Sequence, residues 1–103
     1  MAQYIVTYHG GRKPESPEEG AEQMKKWQAW LSELGDAVIN PGTPLGKTTI
    51  VSASGISDVD AVNPMSGYSV LSAENEAAVL DMVQACPFLE TGGTLGVSEM
   101  MEM

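Results

Sequence analysis

The sequence predicts one α+β domain, an antiparallel sheet with two helices on one face, and three observations carry that prediction. Gln3 to Tyr8 alternates like a strand, with Tyr4, Val6 and Tyr8 on one side and Ile5 and Thr7 on the other. Ser16-Pro17-Glu18-Glu19 opens an amphipathic helix with a capping box. Gly67 to Met100 then reads as strand, capped helix, sharp stop and returning strand. The chain has 103 residues, room for a single core, so residues 1–103 form one domain with an expected radius of gyration of about 13 Å.

Taken in order, the first strand ends at His9-Gly10-Gly11, and a polar loop leads to the capping box. Ala21, Met24, Trp27, Leu31 and Leu34 recur at three and four residues, joined by Trp30, with Glu22, Lys25, Lys26 and Glu33 opposite. This predicts a helix of about five turns that ends at Gly35 as a C-terminal left-handed residue. Val38-Ile39 is a short strand stopped by Asn40-Pro41-Gly42, and the β-branched run Thr48 to Ala53 is another. Ser54 to Ser66, rich in Ser, Gly, Asp and Asn, reads as an irregular loop.

Tyr68, Val70 and Leu71 suit a further strand, after which Ser72 is expected to cap the second helix. That helix places Ala77, Leu80 and Val83, with Val79 and Cys86, against the sheet, and Pro87 stops it. Gly92-Gly93 turn the chain into a last strand, Thr94 to Ser98. This order is the ferredoxin-like split β-α-β pattern, which leaves one sheet face bare. Pairing two bare faces across a two-fold axis is the simplest way to cover them in so small a domain, so a homodimer is expected.

Charge excludes some partners. Fourteen acidic and five basic residues give a net charge of -9, which repels nucleic acid and anionic lipid. No apolar stretch approaches the roughly 20 residues of a membrane span. Met1 to Gly10 has neither the basic region nor the apolar run of a signal peptide, and one cysteine forms no internal disulfide, so a cytoplasmic protein is expected.

Gly67-Tyr68 opening a strand, Glu76-Ala77 early in the last helix, Cys86-Pro87 at its end, Gly92-Gly93 and a closing strand near Met100 together resemble the YCII-related proteins, including the DGPF-type branch, of the dimeric α/β-barrel group. Weaker agreement runs back through Met24-Lys25-Lys26-Trp27 and Leu34-Gly35 to Tyr4. The resemblance implies a ferredoxin-like fold that dimerises into an α/β barrel. Enzyme-like members of that family use a His on the first helix and an Asp before the Pro that follows the last one. Met24 and Cys86 stand at those places here, and Ala61-Val62-Asn63-Pro64 stands where a DGPF tetrapeptide would be.

Few residues offer chemistry. His9, the one imidazole, ends the first strand and is the candidate general base, with Asp58, Asp60 or Glu90 as candidate orienting acids. Cys86, at a helix C-terminus, sits where the helix dipole disfavours a thiolate and reads first as a small buried residue. One His and one Cys far apart give no metal-ligand spacing, and Asp58 and Asp60 lack the further oxygens of a calcium loop, so neither metal nor cofactor is expected. Tyr8, Met24, Trp27, Tyr68 and Cys86 are expected to line a small-molecule pocket between helix and sheet, beside His9. Arg12, Lys13, Lys25 and Lys26 lie close enough in sequence to attract an anion locally, and the apolar tail Met100-Met101-Glu102-Met103 is expected against a partner subunit. Two functions follow: a small-molecule-binding homodimer, or an enzyme of elimination or isomerisation on a small cyclic or aromatic substrate with His9 as base.

Overall fold

A computed structural model describes residues 1–57 and 64–101. The backbone runs β1 (Ala2–His9), α1 (Pro17–Leu34), β2 (Val38–Asn40), β3 (Ile50–Ser52), β4 (Gly55–Ser57), β5 (Met65–Ala73), α2 (Glu76–Val83) and β6 (Thr94–Glu99). Four strands form an antiparallel sheet in the order β2-β5-β1-β6, which is the split β-α-β arrangement expected, while β3 and β4, among the described residues, pair only with each other. This is an α+β fold. No helix among the described residues is long and apolar enough to cross a membrane.

The first helix starts as its sequence dictates. Ser16 is extended and its side chain accepts the Glu19 N–H at 3.1 Å, with Pro17 at the first helical position. Gly35 ends it as expected, but at φ 54 and ψ -121, a positive-φ conformation outside the left-handed helical region expected of it. The buried stripe is rotated from the predicted one: Trp30, Trp27, Leu31 and Leu34 pack inward, whereas Ala21 is exposed and Met24 is 58% exposed. The indoles decide the rotation because they hold the most apolar area, and the Trp30 Nε1–H donates to the Met82 carbonyl at 3.0 Å, tying α1 to α2.

Three expectations are corrected. Ser72 does not cap α2. It pairs with Gln3 inside β5, and Asn75 takes the cap, accepting the Ala78 N–H at 2.9 Å. Sheet pairing extends the strand past a residue that would serve equally well as a cap. In α2 it is Val79 and Val83, with Cys86 beyond, that reach the core, while Ala77 and Leu80 are exposed. Finally, the run beginning at Thr48 does not join the main sheet. It folds onto Gly55–Ser57, in the stretch read as a loop, to make a separate hairpin.

The core lies between helices and sheet: Tyr4, Val6, Tyr8, Leu71 and Ala73 from the strands meet Trp30, Val79, Val83 and Cys86. Between β2 and β3 the chain stays beside β5, where Gly42 has φ 78 and a Cβ would overlap the Tyr68 carbonyl. Glycine is required there. The tail passes β1, with the Met100 N–H donating to the Gln3 carbonyl at 2.8 Å, and leaves Met101 exposed; residues 102 and 103 lie outside the described residues.

Candidate functional site

Strand β1 decides where the candidate side chains point. Successive residues of an extended strand face opposite sides, so Tyr8 and His9 cannot share a pocket on one face of the sheet. Tyr8 lies under the helices with Tyr4 and Val6, and His9 lies on the face the helices leave uncovered, with Thr7 and Ile5. Cross-strand pairing extends the division: Tyr68 stands opposite Thr7 and Val70, itself buried, opposite Ile5, both turned away from the helices, while Leu71 and Ser69 pair with Tyr4 and Val6.

The helix-covered face is filled rather than hollow around Tyr8. Its ring meets Trp27 edge-on at 5.1 Å and 80°, and Phe88 at 5.3 Å and 59°, and Trp27 meets Trp30 edge-on at 5.5 Å. The Ser69 hydroxyl donates to the Pro41 carbonyl at 2.8 Å, so the Tyr8 hydroxyl, 2.8 Å from Ser69 Oγ, is the donor of that second bond. Burial pushes the Tyr8 phenol up to about 12 against the lowering effect of Ser69. Burial likewise pushes the Cys86 thiol up to about 11, against a backbone hydrogen bond at Phe88 that lowers it. Both side chains are protonated at neutral pH, and Cys86, 2% exposed, is no nucleophile in this state.

The expected pocket set therefore divides. Tyr8, Trp27 and Cys86 come together as packed core, Met24 faces outward on α1, and Tyr68 and His9 sit across the sheet. Of the candidate acids, Glu90 accepts from Lys26 Nζ at 3.2 Å, and Asp58 and Asp60 lie outside the described residues. The basic group is partly neutralised at the surface, since Arg12 meets Glu19 at 3.5 Å. Among the described residues no group of three His, Cys, Asp or Glu is placed to hold a metal.

The uncovered face carries the polar constellation that sequence spacing missed. Thr7 Oγ1 lies 2.7 Å from His9 Nε2, which fixes the imidazole to its own strand. A side chain on β6 would interfere, because a Cβ at Gly96 would fall 2.6 Å from Thr7 Oγ1; glycine leaves the shelf open. Thr94 stands opposite His9 on β6. The signal for the Thr7–His9 pair was the strand alternation itself, which puts residues two apart on one face. Surface grooves lie elsewhere among the described residues. One of about 430 Å³ is lined by Met1, Ala2, Gln3, Glu99, Met100 and Met101. Another of about 350 Å³ runs between α2 and β6.

No family model and no curated protein matches this chain. Among solved structures the chain is similar to the 5-chloro-2-hydroxyhydroquinone dehydrochlorinase of Burkholderia phenoliruptrix AC1100, in complex with 2,5-dihydroxybenzoquinone. The match covers 98% of this chain and 95% of that one, at 20% identity and a TM-score of 0.59. Likeness over nearly the full length of both chains at so low an identity shows a shared fold: two helices on one face of a mainly antiparallel sheet.

Proposed function

We propose that the chain is a YCII-like, small-molecule-binding protein that works in the cytoplasm as a homodimer, taking a small oxygenated cyclic ligand at the sheet face that carries Thr7, His9 and Tyr68. The observation that carries this reading is the Thr7 Oγ1–His9 Nε2 contact at 2.7 Å on a face the helices do not cover. An imidazole whose Nε2 is held by a hydroxyl keeps its ring in a fixed orientation on this face, and Tyr68 supplies a flat apolar wall with a polar tip. A second copy laid over this face would exclude water from the ligand and give the α/β barrel that the YCII resemblance implies. The quinone complex of the structural neighbour supports the ligand class.

Titration calorimetry with 2,5-dihydroxybenzoquinone and a panel of phenols and small cyclic acids tests the reading. His9→Ala is expected to weaken binding about tenfold, the effect of one hydrogen bond. Binding that is the same in wild type, His9→Ala and Thr7→Ala would remove the site. A concentration-independent monomer mass in sedimentation would remove the dimer.

A second reading is favoured by the neighbour's name, a dehydrochlorinase. Here His9 takes a proton from a small cyclic substrate as a leaving group departs as its anion, an elimination. The residues at the YCII family's His and Asp places do not support that chemistry at its usual site, because Met24 is an exposed thioether and Cys86 a buried, protonated thiol. Turnover that persists unchanged in His9→Ala would exclude His9 as the base.

A further inference from the structure

The β3–β4 hairpin is a two-stranded sheet with three residues to a strand, hydrogen-bonded to no other strand among the described residues. Such a hairpin is marginal in water unless it packs on something. Val51 and Ile56 stand directly opposite each other, so they share one face, and they are 72% and 75% exposed. The radius of gyration is 15.0 Å, against about 13 Å for a compact chain of this length.

Charge narrows the choice of partner. Residues 37–57 contain no acidic side chain and one basic one, Lys47, in a chain of net charge -9. Two copies repel each other overall, so an arm that carries no acidic side chain approaches a second copy against less repulsion than the acidic helices would, and Lys47 ahead of β3 adds attraction. The same chain offers a matching seat. The groove between α2 and β6 is lined by Leu80, Val83, Leu89, Leu95 and Val97 and holds no charged side chain, and β6 is an edge strand of the sheet.

We propose that the β3–β4 hairpin is an arm that docks in the α2–β6 groove of a second copy, each copy giving an arm and receiving one. This rests on the homodimer of the preceding reading and names the element that holds it. In a two-fold dimer every arm contact is made twice.

The test is sedimentation of the full chain across a concentration series, with Trp27 and Trp30 fluorescence reporting that the core is intact. Val51→Lys combined with Ile56→Lys is expected to raise the dimer dissociation constant about a hundredfold or more, since apolar contacts are replaced by charges on both arms. Lysine reduces the net negative charge, so a lost dimer reads the arm and not added repulsion. Backbone amides of Ile50–Ser57 should gain exchange protection only above the dissociation constant. If the wild type dimerises and the double variant dimerises equally well, the arm is overturned and the dimer stands. A wild type that is monomeric at every concentration overturns both. If Leu80→Lys with Leu89→Lys leaves the dimer unchanged while the arm variant breaks it, the groove is overturned as the seat.

Discussion

The two faces of the sheet are built from alternate residues of the same strands and have opposite characters. Tyr4, Val6 and Tyr8 point into a layer of indole, phenyl and aliphatic side chains with hardly any solvent contact, and the polar atoms there are satisfied. Ile5, Thr7 and His9, one residue out of step, face away from the helices with Tyr68. The packed core lies on the first face and the Thr7–His9 pair on the second. The difference shows why a residue's neighbour in sequence is a poor guide to its role in a strand.

Substitutions should separate the faces. The largest effect is expected from Trp30→Ala, which removes a buried indole and its bond to the Met82 carbonyl and should cost about 3–5 kcal/mol in urea unfolding. A loss below 1 kcal/mol would mean that the helix-covered face is not the stabilising one.

Alkaline pH should weaken the same face. The folded state holds the Cys86 proton to about 11, against an ordinary 9.0, and the Tyr8 proton to about 12, against 10.0. The unfolded chain releases those protons first, so the stabilisation is complete below about pH 9 and falls as pH rises through both folded values. Thermal unfolding followed between pH 8 and 12 should show this fall, and a flat profile would contradict the burial of both groups.

Next in size is Tyr8→Phe, which removes the hydrogen bond to Ser69 while keeping the edge-on ring contact with Trp27, at about 1 kcal/mol, and takes away the upper part of the alkaline loss. The smallest effect on stability is expected at Thr7→Ala, within about 0.5 kcal/mol, although it should lower affinity for the oxygenated ring compounds. Equal losses of stability at Tyr8 and Thr7 would erase the contrast between the faces.

Much of this frame was legible in the residues. The β1 alternation, the Ser16 cap, the Gly35 stop and the burial of Cys86 are local signals that tertiary packing did not override. A single pocket joining His9 to Tyr8, Trp27 and Cys86 conflicts with the two-fold alternation of β1, which sends His9 and Tyr8 to opposite faces. The hairpin was hidden because Ser54-Gly55 belongs to a run of turn-forming residues, in which pairing depends on which side chains find cross-strand partners. The α2 start was ambiguous for a different reason: Ser72 and Asn75 are equally good caps, and only pairing with Gln3 claims the first for a strand.

Cys86, the chain's one sulfhydryl, is shut between the end of α2 and the sheet. A thiol reagent can reach it only when that junction lifts, so the pace of labelling counts spontaneous openings of the molecule without an engineered cysteine. The protein thus carries its own clock for local unfolding, and a ligand or partner that holds the junction shut will be visible as a slowing of that clock.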